Sequence, residues 1–223
     1  KLAELMPSGL GKADIARLDL YSGGKADEKI QLSRLPDSAD EWQIDNHFRA
    51  PVDAKKIGDF LDMLLLLRGE VRHESVSADG LKQYNLADDQ AFHVVGFKKD
   101  EANPAFHLLI GKQADYKQVF ARTADGDTVF VVDKSPRRDA GLWDEDTNKA
   151  PEASVWVDKT VAKLEQDKIT KIELKTPGRH LILEKREKPK PEAEKPSESG
   201  EQGSENDTAK EEKPEYEWIL AQG

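Results

Sequence analysis

The sequence predicts an α+β fold, mainly antiparallel β with an amphipathic helix packed on the sheet. Three observations lead there. Apolar residues recur at every second position in a series of short runs, the period of a half-buried strand. A single run carries them instead at i, i+3, i+4, i+7 and i+8, the stripe of a helix. The strand pattern that opens the chain also returns near its end, so two copies of a β-hairpin–strand–(helix) unit flank a β-meander.

The elements follow in order. In Ile15-Ala16-Arg17-Leu18-Asp19-Leu20 the leucines share one face of a strand, Gly23-Gly24 marks a turn, and Ile30-Gln31-Leu32 completes a hairpin. Trp42-Gln43-Ile44 is a third strand. Asp53 is an N-cap for the helix of Ile57, Phe60, Leu61, Leu64 and Leu65, and Arg68-Gly69 is its expected stop. After a polar stretch, Phe92–Phe97, Phe106–Ile110, Lys117–Arg122 and Thr128–Val132 make the meander, with breaks at Asn103-Pro104, Gly111 and Asp125-Gly126-Asp127. Residues 140–153 read as loop. Asp158 is expected to cap a short helix through Leu164, with Val161 and Leu164 facing inward.

Ile169-Thr170-Lys171-Ile172-Glu173-Leu174 then repeats the I-x-x-[LI]-x-L of Ile15–Leu20. Pro177-Gly178 is its turn, Leu181-Ile182-Leu183 stands for Ile30–Leu32, and Trp218-Ile219-Leu220 for Trp42–Ile44. The expected organisation is a first unit over 1–75, the meander and short helix over 76–166, and a second unit over 167–223 that stops before its helix. The natural protein is expected to continue past residue 223 into that helix. Residues 187–214 interrupt the second unit. They contain no aromatic residue, Ile, Leu, Val or Met, and carry five Lys against nine acids, a local net of 5 - 9 = -4. Such a stretch cannot offset an ordering entropy of roughly 1–2 kcal/mol per residue, so a disordered acidic insertion is expected.

Composition limits the function. Thirty-four Lys and Arg against 44 Asp and Glu give a formal net charge of -10, with a sequence pI near 5.1. A field of that sign repels phosphate backbones, so no nucleic-acid partner is expected, and an anionic membrane surface is a poor one. With zero Cys there is no thiolate nucleophile, disulfide or Cys-ligated zinc. The longest apolar run, Met63–Leu67, falls far short of the ~18 residues that cross a bilayer. The chain opens on Lys1 rather than Met, and an upstream signal or anchor is expected.

The order of these structural motifs resembles the bacterial domain-of-unknown-function family 4340. The resemblance rests on the hairpin, the Trp strand and the Val52-Asp53-capped helix. It continues through Tyr84-Asn85-Leu86, Ile110-Gly111-Lys112, Val129–Asp133, Leu142-Trp143 and Lys168–Leu174, from about Leu10 to Leu220. The family usually has Gly between that Tyr and Leu; Asn tolerates positive φ well enough to keep the turn. The resemblance implies an N-terminal membrane anchor, a domain on the outer side, and a gene beside an ABC-type transport system similar to one linked with gliding motility. It implies no activity and no catalytic residue.

The residues themselves assemble no catalytic motif. His47, His73, His93, His107 and His180 show no metal-ligand spacing; His73-Glu74 lacks the second His of H-E-x-x-H. His93 and His107 lie on neighbouring strands and can meet across the ladder. Ser8-Gly9-Leu10-Gly11-Lys12 lacks the spacing of a phosphate loop and reads as a turn. Asp144-Glu145-Asp146 lacks the alternation of a calcium loop, and Pro136-Arg137-Arg138 is a basic spot on a loop. Trp42, Trp156 and Trp218 are expected to point inward. No catalytic, cofactor-binding or metal residue is assigned. The expected function is a non-catalytic accessory or scaffold domain, extracytoplasmic (periplasmic) and anchored to the inner membrane, with ABC transporter subunits as partners. The alternative is a module binding an extracellular polymer or small ligand in a cleft between the copies. A hydrolase with an unrecognised carboxylate site is a third reading with no positive signal.

Overall fold

Alternating apolar side chains fold most of the chain into antiparallel strands in the computed structural model, which describes residues 2–36, 38, 40–143, 146–160, 164–188 and 216–222. The strands are β1 (Leu2–Glu4), β2 (Ile15–Ser22), β3 (Ile30–Arg34), β4 (Trp42–Ile44), β5 (Ala50–Pro51), β6 (Arg68–His73), β7 (Phe92–Lys98), β8 (Phe106–Asp115), β9 (Gln118–Thr123), β10 (Val129–Val132), β11 (Lys171–Thr176), β12 (Arg179–Glu187) and β13 (Tyr216–Gln222). The α-helices are α1 (Ala54–Leu65), α2 (Ala78–Gln83) and α3 (Pro136–Asp139). Strands β1 to β10 form one sheet in the order β1-β6-β10-β9-β8-β7-β2-β3-β4-β5, and β11-β12-β13 form another. The chain divides into two compact units, Lys1–Lys159 and Thr160–Gly223. The opening hairpin and the meander therefore share a sheet, joined where β2 pairs with β7 (Leu18↔Gly96, Leu20↔Val94).

In the first unit α1 covers one face of the sheet. Its Asp53 N-cap accepts a bond from Lys56 N at 3.0 Å, and Ile57, Phe60, Leu61 and Leu64 are at most 3% exposed. They join Leu18, Leu20, Ile30, Leu32, Trp42 and Ile44 in one core, each fully buried side chain contributing roughly 1.5–3 kcal/mol. Trp156 closes this core edge-on against Phe60, 5.0 Å between centroids. The pleat sends Leu108 and Ile110 to this core and the intervening Leu109 to the opposite face. There Leu86, Ala91, Leu109 and Val129 form a second cluster with Leu81 and Tyr84.

Several expectations are corrected. Gly111 is no break: β8 runs through it to Asp115. A Cβ at Gly111 would lie 2.1 Å from the Tyr84 carbonyl oxygen, which accepts from Lys112 N at 3.0 Å. Glycine is there because another backbone crosses over it, and Asn85 takes the left-handed turn at φ 53° that brings it across. Gly69 does not stop α1, which ends at Leu65 with Leu66 as its C-cap. It lies within β6, where a Cβ would meet Phe130 Cβ at 2.8 Å. The helix expected from Asp158 through Leu164 runs across residues 161–163, which lie outside the described residues. Val157 bridges to Val52, and Asp158 N donates to Pro51 O at 2.8 Å, which holds this segment extended. Leu164 is 73% exposed, and Val161 lies outside the described residues. Pro136-Arg137-Arg138 is not loop but the single turn α3, capped by Ser135. Within the acidic insertion only Glu187 and Lys188 are described, Glu187 as the end of β12.

The second unit repeats the first in register. Leu18↔Leu32 and Leu20↔Ile30 of β2–β3 correspond to Ile172↔Leu183 and Leu174↔Leu181 of β11–β12. Leu32↔Ile44 and Arg34↔Trp42 of β3–β4 correspond to Leu183↔Leu220 and Lys185↔Trp218 of β12–β13. Even the leading 3-10 turn recurs, at Lys12–Asp14 and Gln166–Lys168. Burial does not recur. Trp218 is 41% exposed where Trp42 is 3% exposed, so it does not point into a core.

Candidate functional site

Beside the apolar cluster around Leu109, the face of the first sheet away from α1 carries a group of buried polar side chains. His93, Arg122 and Asp19 are the polar side chains buried there. His93 Nε2 lies 2.8 Å from the Asp88 carbonyl oxygen, and its Nδ1 lies 2.8 Å from His107 Nε2. A carbonyl only accepts, so Nε2 of His93 carries the proton and His107 Nε2 donates to Nδ1 of His93. Tyr21 stacks on the His93 ring at 4.4 Å between centroids and 7° between planes. Burial is the main cause that lowers the pKa of His93. His107 is lowered to about 4, by burial and then by the charge His93 would carry. Burial raises the Tyr21 hydroxyl, aided by Asp19 and Asp88. Both imidazoles are therefore neutral at neutral pH, and the next proton goes to the remaining nitrogen of His107.

Arg122, 5% exposed, braces this cluster. Its Nε donates to Leu86 O at 2.9 Å and its Nη1 to the carbonyls of Thr123, Ala124 and Gly126. Its Nη2 reaches Asp88 Oδ1 at 2.5 Å. One guanidinium thus ties the 86–88 loop to the β9–β10 turn, with Nε and Nη1 given to carbonyls and Nη2 to a carboxylate. His107 also lines a hollow of about 490 Å³ with Met6, Pro104, Thr123 and Asp125. The dyad can hold or pass a proton, and its neighbours are a carbonyl and a phenol ring. Among the described residues no group of three His, Cys, Asp or Glu is placed to hold a metal ion.

A second concavity, about 560 Å³, lies between the first turns of α1 and the segment from α3 to Trp143. Burial raises the Asp139 carboxyl and lowers the Lys56 ammonium on its wall. Trp143 is 75% exposed at its rim, with Arg138 5.9 Å from the ring centroid. Asp144 and Glu145, beside it in sequence, lie outside the described residues.

The other sequence candidates stay apart. His180 Nε2 meets Glu173 Oε1 at 2.6 Å on the second sheet, His73 tilts against Tyr84, and His47 touches Asn46. Sequence reasoning foresaw that His93 and His107 could meet, and they do so as diagonal neighbours, since His93 opposes Leu109 and Val95 opposes His107. It missed Tyr21, Asp88 and Arg122. The available signal was position: Tyr21 and Asp19 alternate with the buried Leu18 and Leu20, and the face they share becomes buried only because the polar stretch between α1 and β7 folds over it.

The second unit carries a run of exposed apolar side chains. Ile172, Leu174, Trp218 and Leu220 are 37%, 53%, 41% and 59% exposed, and Leu181 and Leu183 between them are half-buried. Their counterparts under α1 are at most 3% exposed. Clustered exposed apolar residues of this kind mark interaction surfaces.

A protein-family model described as a domain of unknown function (DUF4340) matches residues 42–214 of the chain. No curated protein and no solved structure matches it.

Proposed function

The chain belongs to the DUF4340 family, and from that membership we propose that it is a non-catalytic docking domain. In this reading it is an extracytoplasmic accessory or scaffold part of a membrane-anchored bacterial protein that works with an ABC-type transport system. The observation that carries the docking role is the six-residue apolar face of β11–β13, open in the second unit and closed by α1 in the first. The polar residues that do converge support it as well, because Arg122 and His93 are held by Leu86 O, by Asp88 and by His107. No helix among the described residues is long and apolar enough to cross a membrane, so the anchor in this reading is not one of them. The test is affinity purification of the full-length protein from detergent-solubilised native membranes after mild crosslinking, read by mass spectrometry. Co-purifying ATPase and permease subunits are the expected result; recovery without a membrane partner refutes the transporter association.

A second reading, a small-ligand or polymer module, draws on the cleft beside α1. Exposed Trp143 with Arg138, Lys56 and Asp139 offers a ring face and both charges within one hollow. A thermal-shift screen against sugars, peptidoglycan fragments and divalent ions tests it, since a ligand that binds only the folded state raises the melting temperature.

A further inference from the structure

We infer that the open face of the second sheet is a receptor for one amphipathic α-helix with the apolar stripe of α1. The inference rests on the docking part of the reading above and is independent of the transporter.

Register identifies the occupant. The two sheets place equivalent residues at equivalent pairing positions: Ile172 for Leu18, Leu174 for Leu20, Leu183 for Leu32, Trp218 for Trp42 and Leu220 for Ile44. Side chains alternate across a pleated sheet, so identical register presents these residues as one surface of the same pattern. In the first unit that surface binds a helix through Ile57, Phe60, Leu61 and Leu64. A surface that accepts ridges spaced three and four residues apart in one copy offers the same grooves in the other.

The charges around the face are mixed in sign. Glu173, Glu184 and Glu217 alternate onto the opposite face, where His180 meets Glu173, whereas Glu187 pairs with Tyr216 on the apolar face. Arg179 and Lys185 fall on the apolar face, at its two ends. Lys185 Nζ sits 4.5 Å from the Tyr216 ring centroid and donates to Asp167 O. A rim of mixed sign around an apolar floor suits a helix with both signs beside its stripe. Helix α1 has that make-up, with Lys55 and Lys56 as well as Asp59 and Asp62, and Asp62 Oδ2 takes Lys12 Nζ at 2.7 Å in the first unit.

The probe is a fluorescently labelled peptide of residues 51–68, titrated in trans with the whole 223-residue chain and read by anisotropy. The peptide's own site in the first unit is held by tethered α1, which outcompetes a free copy. Saturable binding is expected, with hydrogen-exchange protection on β11–β13. Leu220→Asp in the chain should weaken it by about tenfold or more, because a charge enters the apolar floor. Glu173→Gln, on the opposite face, should change it less than about twofold. If Leu220→Asp loses its strand signal by circular dichroism, Leu174→Ser supplies the reading without a buried charge. Absence of saturation overturns the inference. So does protection confined to β2–β4, or self-association of the chain that Leu220→Asp abolishes, which would make a second copy the occupant. Peptide binding without a co-purifying membrane partner removes the transporter association and leaves this inference standing; the converse result removes this inference alone.

Discussion

His93 and His107 are linked by one hydrogen bond whose direction is fixed from outside the pair. Because His93 gives its Nε2 proton to the Asp88 carbonyl, it can only accept at Nδ1, and His107 must donate at 2.8 Å. A proton added to this pair has to enter a site that burial has already made costly to charge.

That arrangement predicts an acid-sensitive fold. The folded-state pKa of His107 is lowered to about 4, below the ~6.5 of an unfolded chain, and His93 is shifted in the same direction. Between those values the unfolded state binds more protons, so stability is full above about pH 6.5 and falls as pH drops towards 4. His107 is partly exposed, and after solvent screening its share is about 1–2 kcal/mol. Urea melts at pH 7 and pH 4.5 should differ more for the wild type than for His107→Gln. Equal differences would contradict the lowered pKa, which an NMR titration of His107 reads directly.

Leu61→Asp is expected to abolish cooperative unfolding of the first unit. Leu61 is 1% exposed against β2–β4, and an unpaired carboxylate in that core costs more than about 4 kcal/mol. Near-UV circular dichroism checks it, since Trp42 and Trp156 report on the same core. A native spectrum and an unchanged midpoint would show that α1 packs elsewhere.

Two glycines should respond differently to the same added methyl. At Gly111 the new Cβ meets a backbone carbonyl oxygen at 2.1 Å, whereas at Gly96 it meets the ring of Phe106 at the same distance. A ring can swing aside and a hydrogen-bonded backbone cannot. Gly111→Ala should therefore cost about 2 kcal/mol or more and exceed Gly96→Ala in denaturant melts. The reverse ranking would place the 84–86 crossing further from β8.

Arg122→Lys keeps the charge and loses the fork. Five bonds to Leu86, Thr123, Ala124, Gly126 and Asp88 reduce to at most three, and buried carbonyls are left without donors. The expected cost is about 2–4 kcal/mol. Hydrogen exchange should quicken at residues 86–88 and 123–127 before it does elsewhere; a uniform change would mean the clasp is not local.

Legibility followed the hydrophobic period. The strands β2, β3, β4 and β7 to β10 and helix α1 announce themselves because each carries apolar residues to the core at the period of a strand or a helix. The second copy was visible in Ile172, Leu174 and Trp218 for the same reason. Strand β6 was hidden, since Arg68–His73 buries only Gly69 and a glycine carries no apolar signal. Helix α2 was hidden by length, six residues with Gly80 inside. The buried polar cluster was only half readable. Spacing brings His93 to His107, but nothing in the order of residues says that Asp88 and Arg122 arrive from a loop and from β9 to close around them.

Strand β2 lies between two partners of very different provenance: Leu18 faces Leu32 from its own hairpin on one side and Gly96 from the meander on the other. The hairpin pairs at once from neighbouring chain, while the seam with β7 waits until α1, β6 and α2 have been looped out, a far larger closure entropy. The sheet thus has a late-zipped line through its middle rather than at its rim. Native-state exchange should find it there, with the β7 amides that face β2 opening together at a lower free energy than those of the β2–β3 hairpin.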